Sequence, residues 1–272
     1  MTTVAEALRQ AQRQGLDRLD AQLLLADLFK QDRAWLISHD DAPLAPEQAA
    51  TLARQFDQRA AGVPLAYLVG VKEFHGLRLR VTADTLVPRP DTEVLVDWAL
   101  ALLAALPGRP RVVDLGTGSG AIALAIKHRH PAAEVEALDL SAAALAVAEG
   151  NAKRLGLAVR FHQGSWWQPL AGQRFELIVS NPPYIAAGDP HLPALRHEPL
   201  SALTPGGDGL SALLDIIDGA ADHLQTDGWL LLEHGFDQAD AVATALRTRG
   251  FADVALRRDL GGQPRVTGGR RA

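Results

Sequence analysis

Through the first 70 residues apolar positions return at helical spacing, at Leu8, Leu16, Leu19, Leu23, Leu24, Leu25, Leu28 and Phe29. A further helix is predicted from Glu47 to Ala60, entered through Pro46, whose fixed φ suits a first turn. Between Tyr67 and Val87 the period changes to two, with Phe74, Leu77, Leu79 and Val81 alternating around Gly76, which reads as a β-hairpin. From Asp91 onward short apolar strands alternate with helices. Strands are expected at Arg111 to Leu115, Val135 to Asp139, Val159 to His162, Phe175 to Ser180, Trp229 to Glu233, Asp253 to Arg257 and Arg265 to Gly268. Helices are expected at Ala121 to Lys127, from the capping residue Ser141 to Leu155, at Leu210 to Leu224 and at Gln238 to Arg249. That alternation predicts an α/β fold, a doubly wound parallel sheet with helices on both faces, and ligands at the carboxyl ends of its strands. The chain thus divides into a helical bundle over 1–70, a β-hairpin linker over 71–90 and the sheet domain over 91–272.

Composition narrows the chemistry. With 272 residues, 47% hydrophobic and 22% charged, the chain can bury a core without staples. The absence of cysteine excludes thiol nucleophiles, thiolate metal sites and disulfides. The formal net charge of −5 argues against a surface built for nucleic acid, which ordinarily carries a basic balance or patch. The start of the chain lacks the pattern of a secretory signal, and no uncharged apolar run reaches the roughly 18 residues of a membrane span. A cytoplasmic protein with no membrane partner is expected. The nine histidines form no metal-ligand spacing, so no metal is expected. Asp189, Glu198 and Asp208 are scattered carboxylates without the pairing of acid–base catalysis.

The segment Asp114-Leu115-Gly116-Thr117-Gly118-Ser119-Gly120-Ala121 leaves a strand and opens a helix. Its glycines permit a tight turn and a close approach of the main chain to a cofactor. A phosphate loop is disfavoured because no Lys-Ser/Thr pair follows. Asp139 closes the next strand, where a carboxylate can accept from both hydroxyls of a ribose. The loop and Asp139 fit a nicotinamide dinucleotide and S-adenosylmethionine equally well.

Asn181-Pro182-Pro183-Tyr184, beyond the strand that ends at Ser180, separates the two. Two prolines fix two φ angles, remove two donors and hold the preceding residues extended, which frees backbone carbonyls to accept hydrogen bonds. An amino group conjugated to a π system is a poor nucleophile because its lone pair is delocalised. The Asn181 side-chain oxygen and the Pro182 carbonyl can grip both of its hydrogens and favour a pyramidal nitrogen, while Tyr184 offers a flat face. Positioning and charge stabilisation then suffice for transfer from a sulfonium, which needs no metal to make its methyl electrophilic. The reading is methyltransferase over dehydrogenase.

These residues resemble the amino-methyltransferases that act on DNA adenine-N6, RNA guanine-N2 or protein glutamine-N5. Val87-Pro88-Arg89-Pro90-Asp91-Thr92-Glu93 before the glycine loop, Gly164-Ser165-Trp166, Ser180 to Ile185, and Glu198-Pro199 with Ala202-Leu203 are similar to the peptide-chain release factor N5-glutamine methyltransferase family, over nearly the whole chain. The resemblance implies a Rossmann-like class I methyltransferase sheet behind a small helical N-terminal domain that helps recognise the substrate. It implies transfer of a methyl group from S-adenosyl-L-methionine to the glutamine of the Gly-Gly-Gln motif in class-I release factors, leaving S-adenosyl-L-homocysteine. Gly116, Thr117, Gly118, Ser119, Gly120, Asp139 and Asn181 would hold the cofactor, with Trp166 beside the adenine. Asn181, Pro182, Pro183 and Tyr184 would bind the glutamine amide, and Asn181, Pro182 and Tyr184 would be catalytic. Trp166 also fits a core aromatic, and Trp167 fits packing better. Arg89 and Glu93 fit either the substrate pocket or the domain junction. A nucleic-acid amino-methyltransferase and a non-catalytic cofactor-binding module are the competing readings. The chain's own Gly261-Gly262-Gln263 reads as a turn.

Overall fold

The helical segment starts at a capping box: the Thr3 hydroxyl accepts from Glu6 N at 3.3 Å, and Glu6 Oε2 accepts from Thr3 N at 2.9 Å. From it runs α1 (Val4–Arg13), followed by α2 (Arg18–Phe29), α3 (Arg33–Ser38), α4 (Pro46–Ala60) and α5 (Leu65–Val69). Val4, Leu24, Leu25, Leu36, Leu52 and Phe56 close a core of their own. Each buried leucine contributes about 2 kcal/mol of transfer free energy. Leu19, in the first turn of α2, is 44% exposed and lies outside it. The short α3 and α5 were not expected, because six and five residues are too few to develop a periodic signal.

The computed structural model describes residues 2–272, and the chain separates into two compact units between Val71 and Lys72. The hairpin is β1 (Val71–Phe74) and β2 (Leu77–Arg80), where Leu77 and Leu79 are buried and Arg78 and Arg80 exposed. Residues 81–89 are not strand. They lead through a 3₁₀ turn, Pro90–Thr92, into α6 (Glu93–Leu103). Glu93 Oε1 accepts from His75 N at 3.0 Å and so fastens the hairpin turn to α6.

The second unit continues as β3 (Arg111–Leu115), α7 (Ala121–Arg129), β4 (Glu134–Asp139), α8 (Ala142–Leu155), β5 (Val159–Gln163) and β6 (Phe175–Ser180). After α9 (Leu200–Leu203) come α10 (Ser211–His223), β7 (Leu224–Glu233), α11 (Ala239–Thr248), β8 (Phe251–Arg258) and β9 (Pro264–Arg271). The seven-stranded sheet has the order β5-β4-β3-β6-β7-β9-β8, parallel except for β9. The doubly wound α/β expectation holds. Alternate residues of each strand feed opposite layers: Val112, Leu177, Val179 and Leu231 pack toward α6 and α7, and Val113, Ile178, Leu230 and Leu232 toward α10 and α11. β7 starts at Leu224 rather than Trp229, because the intervening Gln225, Thr226, Asp227 and Gly228 carry no apolar alternation although the ladder already pairs Leu224 with Phe175.

Strand order reverses between β3 and β6. That is the switch point at which open α/β sheets bind ligands.

Candidate active site

Sheet register aligns the candidate residues. Leu115 pairs with Leu138 on one side and with Ser180 on the other, and Ser180 pairs in turn with Leu232. The next residues along these four parallel strands are Asp139, Gly116, Asn181 and Glu233, so they stand in one row on the carboxyl edge. Beside the row opens a cavity of about 590 Å³, the size of a small-molecule site. Residues 83–86, Pro88, Arg89, Gly116 to Ser119, Asp139, Trp166, Asn181 and Pro183 contribute to its walls; Gly120 does not.

The glycine loop is folded by its own register. Gly116 N and Thr117 N both donate to Leu138 O, at 2.9 and 2.8 Å, while Gly116, Gly118 and Gly120 have φ of 73°, 55° and 84°. Gly118 N donates to Asp139 Oδ2 at 2.8 Å and Ser141 N to Oδ1 at 2.9 Å, which fixes the carboxylate and leaves each oxygen capacity to accept again. Ser141 caps α8 as expected, accepting from Ala144 N. The Trp166 ring packs on Gly116, 3.6 Å from where a Cβ would stand, an ordinary contact; it is the φ of 73° that calls for glycine there.

At the end of β6, the Ser180 hydroxyl donates to Leu115 O at 2.6 Å and locks the two central strands together at the site. Asn181 Nδ2 donates to the hydroxyl of the buried Thr92 at 3.3 Å. Pro182 is buried, Pro183 faces the cavity, and the Tyr184 carbonyl accepts from Gln238 Nε2 at 2.9 Å. Tyr184 is not among the cavity walls. Its ring packs in the α10–α11 layer, and its hydroxyl donates to Glu233 Oε1 at 3.3 Å.

Two family models match the chain: the PrmC N-terminal domain over residues 1–70 and the methyltransferase small domain over residues 95–235. A release factor glutamine methyltransferase of Xylella fastidiosa is 51% identical over 97% of this chain and 97% of its own. One from Bordetella pertussis is 51% identical over 94% and 95%. The chain belongs to the release factor glutamine methyltransferase family. Among solved structures, a methyltransferase from Pyrococcus furiosus shares the fold with a TM-score of 0.55 at 18% identity, over 72% of this chain and 90% of that one.

The electrostatics of this methyltransferase concentrate at the same edge. Burial raises Asp114, beneath the glycine loop, to about 7, against the opposing hydrogen bonds from the Thr117 hydroxyl and Ala123 N. Burial likewise raises Asp139, with backbone donors at Ser141 and Gly118 pulling the other way. Glu233 is raised to about 7, again chiefly by burial; Thr92, Arg265 and Tyr184 oppose the shift and Asp91 adds to it. Burial, then the Glu233 charge, pushes the Tyr184 phenol up.

Three participants escaped sequence reading. Thr92 and Glu233 meet at Asn181 and Tyr184, although a carboxylate closing the apolar run Leu230-Leu231-Leu232 carried the same signal as Asp139. Glu198 is buried, pairs with Arg89 and accepts from Val87 N at 3.0 Å, so it fixes the segment that brings Pro88 and Arg89 to the cavity wall. Arg89 itself lines the cavity. Trp167 packs, stacked on His223 with centroids 4.7 Å apart. Gly261 and Gly262 form the β8–β9 turn, where Gly262 N donates to Asp259 O. Among the described residues no group of histidines and carboxylates stands together to hold a metal, and no helix is long and apolar enough to cross a membrane.

Proposed function

We propose that this methyltransferase transfers the methyl group of S-adenosyl-L-methionine to the side-chain amide nitrogen (N5) of the glutamine in the Gly-Gly-Gln motif of class-I peptide-chain release factors, in the cytoplasm. The observation that carries the reading is the row itself: an acceptor-rich Asn-Pro-Pro-Tyr loop standing one strand from a glycine loop and two from a carboxylate, around a single cavity. The relatives that match over nearly their full length are named for the same reaction.

The cavity suits the cofactor. The indole of Trp166, packed on Gly116 at the cavity wall, offers a flat face on which an adenine can stack, and Asp139 presents unused lone pairs for two ribose hydroxyls. Gly116, Thr117, Gly118 and Ser119 bring main chain up to the cofactor, with Trp166 against the base, while Gly120, expected to join them, turns toward Leu124 and Ala148 behind the loop. When bound, the cofactor supplies a methyl carried on a sulfonium, and S-adenosyl-L-homocysteine is the product. Asn181 Oδ1 and the Pro182 carbonyl accept the two N–H bonds of the glutamine amide and aim its lone pair. As that nitrogen acquires positive charge, the same two oxygens stabilise it, and the N-methylated amide then releases one N–H proton to solvent to become neutral. Pro183 gives the amide an apolar wall that excludes water. Tyr184 acts by bracing the loop through its bonds to Glu233 and Gln238.

The test is incubation with methyl-labelled S-adenosylmethionine and a class-I release factor, beside a release factor whose Gly-Gly-Gln glutamine is replaced by alanine. Label on the first alone is expected. Equal label on both would remove the glutamine assignment, and label on neither would remove the protein substrate.

A further inference from the structure

The side-chain amide of Asn181 has two ends that differ only in where oxygen and nitrogen lie, and only one orientation serves methyl transfer. With Oδ1 toward the cavity it accepts from a substrate NH2. Reversed, it opposes one donor with another. Its orientation is decided by the partner at its other end, and that partner is the Thr92 hydroxyl, 3.3 Å from Nδ2.

A hydroxyl has one hydrogen to give. If the Thr92 hydrogen is engaged elsewhere, its oxygen offers Asn181 lone pairs only, and the amide must turn Nδ2 toward it. Glu233 stands beside Asn181 in the row, and the Thr92 hydroxyl is among the groups that favour its charged form. Glu233 Oε2 is buried without a hydrogen-bond partner, so it is an acceptor free to draw that hydroxyl's hydrogen when the carboxyl is ionised. The other oxygen, Oε1, receives the Tyr184 hydroxyl at 3.3 Å. An ionised Glu233 therefore attracts hydrogens from both sides of the Asn-Pro-Pro-Tyr loop. A protonated Glu233 has a hydrogen of its own to donate, which frees the Thr92 hydrogen for Asn181 and lets the amide adopt either orientation.

We propose that Glu233 is a positioning residue: ionised, it orders the Thr92 hydroxyl, and the hydroxyl turns the Asn181 carboxamide with its oxygen toward the substrate nitrogen. The assignment rests on the methyl-transfer reading of Asn181. The surroundings make the carboxyl a titrating one near neutrality. Asp91, on the turn before α6, disfavours its charge; Arg265 on β9 favours it, as do the hydroxyls of Thr92 and of Tyr184 on the loop after β6, but burial dominates and the pKa stands at about 7. Arg265 is itself held by Asp259 at 3.0 Å and by Asp91 at 3.5 Å. The neighbouring His234 has its pKa lowered by burial and turns to Thr267 and to the Gly235 carbonyl, away from the carboxyl.

The experiment has two readouts on full-length protein. In the cofactor-free protein, the Asn181 side-chain amide resonances are followed against pH by NMR. A shift centred near pH 7, absent in Glu233→Gln, is expected. An Asn181 signal that titrates identically in both, or in neither, overturns the proposal. With release factor and S-adenosylmethionine, kcat is then measured against pH for the wild type, Glu233→Gln, Thr92→Val and Thr92→Ser. The wild type is expected to lose turnover as pH falls through 7. Glu233→Gln and Thr92→Val should each be slower by about tenfold at pH 8, the worth of one hydrogen bond to a charged group, and should lack that acid limb. Thr92→Ser restores both, and cofactor affinity is unchanged throughout. If Glu233→Gln keeps wild-type kcat and its acid limb, the carboxyl does not position Asn181. If Thr92→Ser fails as Thr92→Val does, or affinity falls together with turnover, the role is packing. Absence of turnover in the wild type is a separate result. It counts against the proposed substrate, while the NMR titration still decides for or against Glu233.

Discussion

Asp114 shows what one buried carboxyl does to the protein that carries it. Folded, it keeps its proton up to about pH 7; unfolded, it releases it near 3.8. The folded state thus binds the extra proton between those values, so the contribution of Asp114 is full below about pH 4 and is lost as pH rises through 7. Glu233 runs in the same direction from 4.5 to about 7. Asp114→Asn, which has no proton to lose, should flatten the pH dependence of the urea midpoint across that window, and an unchanged slope would show that Asp114 is ionised in the fold. At Asn181, replacement by alanine removes one of two acceptors at the reacting nitrogen. Turnover is expected to fall by about 10²-fold with cofactor affinity retained, as calorimetry and steady-state kinetics together can establish. How far such residues are legible differs from one to the next. Asp139 announces itself because a glycine loop precedes it by a readable interval. Glu233 closes a strand in the same manner but has no companion motif, and Thr92 meets Asn181 across 89 positions of chain with nothing in either neighbourhood to link them.

Gly120 governs how α7 starts. A Cβ there would stand 3.0 Å from Leu124 Cδ1 and 3.2 Å from Ala148 Cβ, at a φ of 84° that side chains rarely adopt. Gly120→Ala should destabilise the protein by about 1–3 kcal/mol, seen as a lower denaturant midpoint at unchanged m-value. Elements with strong periodicity or a capping residue were read well from sequence: β3, β4, β6, α7 and α8 fall close to their expected positions. α6 carries no legible helical stripe although Trp98, Leu100, Leu102 and Leu103 lie within it, because its buried face is so broad that the stripe disappears into a continuous apolar run. Tyr184 stands at its expected place in the chain but turns its ring into the α10–α11 layer, a choice made by Glu233 and Gln238 from elements that follow it.

For the whole molecule, the cavity belongs to one unit. Its walls run from Ala83 to Asp215, all within the unit that begins at Lys72. Residues 72–272 made alone should bind S-adenosylmethionine as the full chain does; an affinity weaker by more than about tenfold, some 1.4 kcal/mol, would assign the helical unit a part in cofactor binding. Helix–strand alternation makes the parallel half of the sheet legible, but nothing in the pattern says that β9 slips between β7 and β8. That insertion is a matter of pairing partners, not of local preference. It also has a consequence in time. β8 is made before β9 yet has no neighbour to join until β9 exists, and until then Leu230, Leu231 and Leu232 form an open ladder at the margin of an otherwise finished sheet. Any folding intermediate in which the β8–β9 hairpin has not yet docked holds out an edge that another unfinished chain can extend. That exposure ends when the β8–β9 hairpin docks on β7 as one piece.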